Sequence, residues 1–398
     1  MVRMEPVAPL RAAIVGPGYI AAIHAEALRR CGAELALIVG RPGSDVAGQA
    51  AKLRVPRSSD RLADALDDPA IDVIHICTPN AFHHSMASAV LARGKHLVCE
   101  KPLTTSSEEA ARLVAQAERG NVVAGVAYCY RYYPLVRQMR VMIAAGAVGP
   151  LHHIRGLYLA DELLHDAYSH YRFAPEIAGP SLAMADVGVH WCDLVEHVTG
   201  RRITRVLADT QTVVPIRQWR RDAPGAGAPP PGAGPDDATF PMRVAGEDCL
   251  SLLLHFDGGA RGSLTVSQVS AGHKNWITLS LDGAAGGLDW NQEQPNTLTV
   301  RRRAPSWELL PKDPTLLAPE AAALAFAPGG HPEGYLDAFR NLIAAIYDAI
   351  ARVRQGAAVG DDYPTLRDGW RGVAIQEAVL LSAREQRWVE VAAYPAAL

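Results

Sequence analysis

The sequence has no C-x-x-C pair, no run of more than three basic residues, no basic tail, and no apolar stretch of about 18 residues or more. Each absence removes a class of function. The six cysteines, Cys31, Cys77, Cys99, Cys129, Cys192 and Cys249, stand apart, several inside apolar runs such as Ile74-His75-Ile76-Cys77 and Leu97-Val98-Cys99. Buried reduced thiols explain that placement better than disulfides or zinc. With 39 Lys+Arg against 42 Asp+Glu the formal charge is −3, which leaves no general field for a nucleic acid. The missing long apolar run excludes a membrane-spanning helix. At the start, Arg3 is followed by Glu5, two prolines and Arg11 before any apolar stretch, which is no secretion signal, so a cytoplasmic protein is expected. No internal repeat is present. No H-E-x-x-H or comparable ligand density occurs either, so no metal site is expected.

What is present fits a soluble globular chain of two domains: 398 residues, 49% hydrophobic and 20% charged. The first third alternates short apolar runs (Ala12 to Val15, Leu35 to Val39, Val73 to Cys77, His96 to Cys99, Val122 to Ala127) with amphipathic stretches (Ile20 to Cys31, Asp45 to Leu53, His84 to Arg93, Ser107 to Arg119). That rhythm predicts crossovers, and hence a parallel sheet with helices on both faces. The pattern changes near Gly146-Ala147-Val148-Gly149-Pro150. Beyond it the reading is a strand over His153 to Leu159 and a helix from Met184 to Val198. Strands then follow one another at Ile203 to Val214, Cys249 to Phe256, Ala260 to Val269, Trp276 to Leu281 and Leu298 to Arg302. Asp257-Gly258-Gly259 is a hairpin signal. Consecutive strands predict an antiparallel sheet, closed by helices over Tyr335 to Arg354 and Leu366 to Arg387. The expected architecture is an α/β Rossmann domain over residues 1–130, followed by an α+β domain with an open, mostly antiparallel sheet over 131–398. The Pro/Gly/Ala-rich stretch Trp219 to Pro241 reads as a surface loop, either a lid or a solvated insertion.

Gly16-Pro17-Gly18-Tyr19-Ile20-Ala21 is a G-x-G-x-x-A sequence between a strand and a helix. Its glycines permit a tight turn and close approach of a pyrophosphate, with the amides of Tyr19 and Ile20 at the helix start. Val39 ends the second strand, and Gly40 stands where an acid would select NAD. The next residue, Arg41, offers a guanidinium for a 2′-phosphate, so NADP is favoured over NAD; the alternative is an arginine that only covers the adenine. Thr78-Pro79-Asn80, with His83 behind, and Glu100-Lys101-Pro102 both follow strands, at the carboxyl edge where such sheets bind ligands. Asn80 serves equally well as a helix cap. Asp186, His190 and Asp193 share one face of the predicted helix. A histidine beside carboxylates is a proton acceptor in reach of physiological pH. A hydrogen-bonded core histidine is the plain alternative.

Together these pieces resemble the Gfo/Idh/MocA oxidoreductase family: the glycine turn with His24 behind it, Thr78-Pro79-Asn80 with His83, Glu100-Lys101-Pro102-Leu103, and Asp186 through Asp193. His331-Pro332-Glu333-Gly334-Tyr335 also resembles its sugar-dehydrogenase-like members. The resemblance implies NAD(P), a sugar or polyol substrate, and a homo-oligomer, dimer or tetramer, formed through the second sheet. It also implies that Lys101, Asp186 and His190 form the catalytic group. The expected reaction is oxidation of a secondary hydroxyl of a sugar, glycoside or cyclic polyol, or the reverse carbonyl reduction. His190 is then the base, Lys101 a donor to the reacting oxygen, Asp186 an orienting group, and Asp193 a further substrate contact. Redox-assisted glycoside cleavage and a non-catalytic dinucleotide-bound regulator are the alternative readings.

Overall fold

In the computed structural model, residues 9–165, 171–221, 232–234, 236–244, 246–304 and 306–395 are described. The first unit runs β1 (Arg11–Val15), α1 (Tyr19–Arg30), β2 (Glu34–Val39), α2 (Val46–Lys52), β3 (Ser58–Ser59), α3 (Ala63–Leu66), β4 (Val73–Ile76), α4 (His83–Ala92), β5 (His96–Cys99), α5 (Ser107–Arg119) and β6 (Ala124–Val126). All six strands are parallel, in the order β3-β2-β1-β4-β5-β6. Their short apolar runs are buried on both faces, as a helix-covered parallel sheet requires. The order reverses between β1 and β4, which opens a crevice at the strands' carboxyl ends. Gly16 sits at that reversal with φ +93°, where a Cβ would meet the Cys77 carbonyl oxygen at 2.7 Å. The turn therefore needs glycine on both counts.

The second unit begins with α6 (Pro134–Ala144), β7 (Leu151–Leu159), α7 (Pro175–Ala178), a π-helical turn (Met184–Gly188) and α8 (Val189–Thr199). It continues through β8 (Ile203–Gln211), β9 (Ile216–Arg220), β10 (Thr239–Arg243), β11 (Cys249–Phe256), β12 (Arg261–Ser267), β13 (Trp276–Gly283), β14 (Gly287–Asn291), β15 (Thr297–Arg301) and β16 (Glu308–Pro311). Then come α9 (Pro319–Ala322), α10 (Tyr335–Arg354), α11 (Leu366–Glu385) and β17 (Val389–Glu390). Nine strands form one sheet, β16-β15-β14-β13-β7-β12-β11-β8-β17. Only the central β7–β12 pair is parallel; the other pairs run antiparallel. Burial alternates along β11, with Leu250, Leu252 and Leu254 inside and Ser251 and Leu253 outside, so the sheet covers the core with one face and leaves the other open.

Two sequence expectations change here. The predicted helix from Met184 to Val198 opens instead as a π turn, whose wider winding a search at period 3.6 cannot register. The predicted loop from Trp219 to Pro241 is partly ordered: β9 and β10 pair as a two-stranded ribbon, and Trp219 is buried. Residues 222–231 and 235 of that stretch lie outside the described residues.

α8 packs on the large sheet through Trp191, whose Nε1 donates to the Thr278 carbonyl at 2.9 Å. A Cβ at Gly156 would overlap that indole ring. Gly156→Ala is therefore expected to lower stability by about 1–3 kcal/mol through overpacking. A urea midpoint shifted downward at unchanged slope checks it; an unchanged midpoint refutes the packing account. The C-terminal helices return to the first unit, α10 against α1 and α11 against α5. Arg30 binds Asp337 at 2.6 Å across the first of these contacts.

Candidate active site

The crevice begins at the amino end of α1. Gly18 is its N-cap and no side chain caps it, so the first amides of the helix face outward. A Cβ on Gly18 would meet nothing within 4 Å, so the space in front of those amides is open. Free amides, open space and the positive end of the helix dipole fit a pyrophosphate. Arg41 is exposed in the turn after β2, where its carbonyl accepts from Ser44 Oγ at 2.7 Å, and it has no acidic partner among the described residues. Gly40 is sterically closed: a Cβ there would lie 2.9 Å from both Ser44 Oγ and Val46 Cβ. That tightness excludes the acidic side chain whose absence the sequence registered.

Thr78 follows β4, and its buried Oγ1 has no partner among the described residues. Pro79 leads into a 3-10 turn at Asn80–Phe82. Asn80 does not cap α4; its Nδ2 donates to the Ala178 carbonyl at 2.8 Å and ties this turn to α7. His83, also expected at the cofactor, is wholly buried below it. Its ring nitrogens lie 2.8 Å from the carbonyls of Pro102 and Thr78. Burial lowers its pKa, and the neutral ring donates to one of these carbonyls at a time. His83 thus clamps together the two turns that line the crevice and does not itself face into it.

At the carboxyl end of β5 the Lys101–Pro102 peptide is cis. Lys101 Nζ donates to the Asp186 carbonyl at 2.6 Å and to Asp186 Oδ1 at 2.9 Å. Arg172 lies 2.9 Å from the same Oδ1. Gln268 Nε2 donates to Asp186 Oδ2 at 2.8 Å and to Glu162 Oε1 at 2.6 Å. Burial alone would raise the Asp186 pKa, but the Arg172 and Lys101 cations outweigh it and hold the carboxyl well below the usual range. Asp186 is a fixed anion. Its three partners leave the expected bond to His190 unmade: His190 Nδ1 is buried without a partner among the described residues. Tyr130 meets the His190 ring edge-on at 4.9 Å between centroids, and Tyr128 at 5.9 Å. Burial pushes the His190 pKa well below its ordinary value, and the Lys101 ammonium pushes it further. The imidazole is neutral and able to accept a proton.

Asp193 is not brought to this group. Arg131 Nε donates to its Oδ2 at 2.8 Å, and Arg131 also pairs with Asp368 at 3.0 Å. Burial pushes the Asp193 carboxyl up to about 7, against the pull of Arg131. The expectation that Asp193 contacts substrate is corrected: its partner lies 62 residues away in sequence and cannot be read from helix spacing. His331 is exposed, while Glu333 is buried against Lys312 at 2.8 Å as a structural pair.

The sequence reading missed Arg172 and Gln268, which no local pattern marks, and a buried chain behind Lys101. Glu100 Oε2 accepts from the Lys101 amide at 3.1 Å, and Glu100 Oε1 lies 3.0 Å from His24 Nε2. His24 Nδ1 lies 2.8 Å from His75 Nδ1, and His75 Nε2 lies 2.9 Å from Tyr347 Oη. Burial would raise the Glu100 pKa, but the hydrogen bond from His24 brings it below the usual value. An ionised carboxylate only accepts, so His24 Nε2 donates to it and His24 Nδ1 accepts from His75. His75, neutral because burial lowers its pKa, then accepts from Tyr347. The chain joins α10, β4 and α1 to the residue before Lys101.

Residues 10–128 match a family model described as an oxidoreductase family with an NAD-binding Rossmann fold, and residues 136–289 match the GFO/IDH/MocA C-terminal domain. Levoglucosan dehydrogenase of Pseudarthrobacter phenanthrenivorans is 27% identical over 366 residues, covering 89% of each chain. A structure of levoglucosan dehydrogenase with NADH and L-sorbose superposes with a TM-score of 0.84 at 26% identity, over 97% of this chain and 100% of that one. An inositol dehydrogenase homologue from Azotobacter vinelandii, complexed with NAD+, gives 0.82 at 28% identity, over 96% and 97%.

Proposed function

The chain belongs to the GFO/IDH/MocA oxidoreductase family, and from that premise we propose that it oxidises a secondary hydroxyl of a sugar, glycoside or cyclic polyol, or reduces the corresponding ketone. It is an NAD(P)-dependent oxidoreductase acting on CH–OH groups. The reading rests on one observation above the others: a lysine ammonium held 2.9 Å from a fixed aspartate, beside a neutral buried histidine, at the carboxyl edge of a dinucleotide-binding sheet. A bound nicotinamide would supply the hydride acceptor for oxidation, or the hydride donor for reduction.

Residues 1–130 would hold the dinucleotide, through Gly16, Gly18 and the amides of Tyr19 and Ile20 at the pyrophosphate, with Thr78, Pro79 and Asn80 along the crevice. Residues 131–398 would supply the substrate side. Lys101 spends two of its three donors on Asp186, which leaves one N–H for the reacting oxygen. That charge stabilises the oxygen as it becomes negative. His190 takes the hydroxyl proton through Nε2, the ring nitrogen that is not sealed in. Asp186, held by Arg172 and Gln268, keeps Lys101 in position. The open outer face of the nine-stranded sheet, where Leu253 is exposed, supports subunit contact in a homo-oligomer. A spectrophotometric screen of cyclic polyols, free sugars and glycosides with each cofactor tests the activity. Formation of reduced nicotinamide with at least one of them supports it, and silence across all three classes contradicts it.

NADP use is the finer part of the proposal and rests on Arg41. Arg41→Ala is expected to weaken NADP about tenfold or more, from loss of a charge-assisted contact, and to leave NAD nearly unaffected. Titration of both proteins with both cofactors checks it. Parallel losses would make Arg41 an adenine cover, and tighter wild-type binding of NAD would reject the NADP preference.

A further inference from the structure

A cavity of about 1000 Å³ lies outside the crevice, between the end of α5, α6, the last turns of α8, and the start of α11. None of Gly16, Lys101, Asp186 or His190 lines it. It is large enough for a metabolite-sized ligand. The 3-10 turn Cys129–Tyr132 is the wall between the two spaces: Tyr130 touches His190 on one side, and Arg131 lines the cavity on the other.

The six arginines and six carboxylates of the lining balance in number but not in placement. Arg131, Arg202 and Arg371 line the cavity with the three carboxylates that hold them, Asp193, Asp368 and Glu196. Arg137 and Arg140 line it as well, and neither has a carboxylate partner among the described residues. Three more acids stand at the mouth; Glu118 is paired with Arg367 and Asp362 with Arg352, while Asp361 is exposed. The unpaired cations crowd one another. The Arg140 pKa is lowered by burial and then by Arg137 and Arg131, and that of His197 is lowered by burial and by the same three arginines.

The hydrogen-bond polarity points the same way. Arg140 only donates, and one of its nitrogens lies 2.9 Å from His197 Nδ1, so that atom accepts and Nε2 carries the hydrogen. His197 Nε2 has no partner among the described residues, and neither does Arg137 Nε. Arg140 also donates to the His197 carbonyl at 2.8 Å and Arg137 lies over the Tyr132 ring, so buried donors in surplus and two guanidinium groups without a carboxylate favour an acceptor-rich, negatively charged occupant. Guanidinium forks match carboxylate and phosphate oxygens in pairs.

We infer that this cavity is a second ligand site, separate from the catalytic crevice, which takes a small polyvalent oxyanion, a di- or tricarboxylate or a phosphate ester, on Arg137 and Arg140. The test uses the full chain saturated with dinucleotide, so that the phosphate-binding end of α1 is already filled. Citrate and inorganic phosphate are titrated calorimetrically at constant ionic strength. One saturable site for at least one of them is expected, weakened about tenfold or more by Arg137→Met with Arg140→Met. Arg140→Glu, at an exposed position that folding tolerates, is expected to weaken it comparably, while Arg41→Ala leaves it unchanged. Absence of saturable binding by both anions overturns the inference. So does wild-type affinity in Arg140→Glu, or loss of binding in Arg41→Ala.

Discussion

His190→Ala is expected to lower turnover by about 10²–10⁴-fold, the usual contribution of a positioned general base, with dinucleotide affinity nearly unchanged. The separation follows from position. His190 stands at the start of α8 among Tyr128 and Tyr130, whereas the pyrophosphate cradle is built by the turn after β1. The pH dependence carries its own sign. Oxidation needs the neutral ring, and burial places the His190 pKa well below its ordinary value. Wild-type oxidation should therefore keep its rate as pH falls through about 6.5, and lose it only at lower pH. Steady-state kinetics with fluorescence titration of the cofactor reads both effects. Near-normal turnover in His190→Ala would remove the residue from the proton transfer.

Lys101→Met is expected to depress turnover by about 10²–10³-fold, because the reacting oxygen would lose the ammonium proposed to face it. The side chain of similar length keeps the packing, and Arg172 with Gln268 still holds Asp186 in place. The loss should fall on kcat more than on KM, since the charge on the oxygen develops only toward the transition state. A loss confined to cofactor affinity would make Lys101 a cofactor ligand only.

The elements that packing writes into local sequence were the legible ones. Ser107 to Arg119 and Tyr335 to Arg354 form helices with those bounds, because each carries an apolar stripe at helical spacing and a cap. The hairpin at Asp257 to Gly259 follows from two glycines at positive φ. β14 and β16 were passed over: Gly287–Asn291 and Glu308–Pro311 are short, and β16 is an exposed edge with no alternation to mark it. At the site, glycine spacing and a lysine after a strand carry local signals. Arg172, Gln268, Arg131 and the Tyr347–His75–His24 chain carry none, because each takes its meaning from a partner set by tertiary packing. The same cause reassigned Asp193. Helix geometry put it beside His190, and a distant arginine took it elsewhere.

In the proposed reaction hydride leaves a secondary carbinol carbon for the nicotinamide beside Lys101 and His190. The most direct measurement incubates the protein and oxidised cofactor with a sugar or cyclic polyol deuterated at its ring carbons, then examines the recovered cofactor by NMR. One deuterium on a single face of the nicotinamide ring is expected, in step with ketone formation, and a comparable collapse of both signals in His190→Ala and Lys101→Met. Ketone formation without deuterium on the cofactor, or transfer that survives both substitutions, would contradict that reaction.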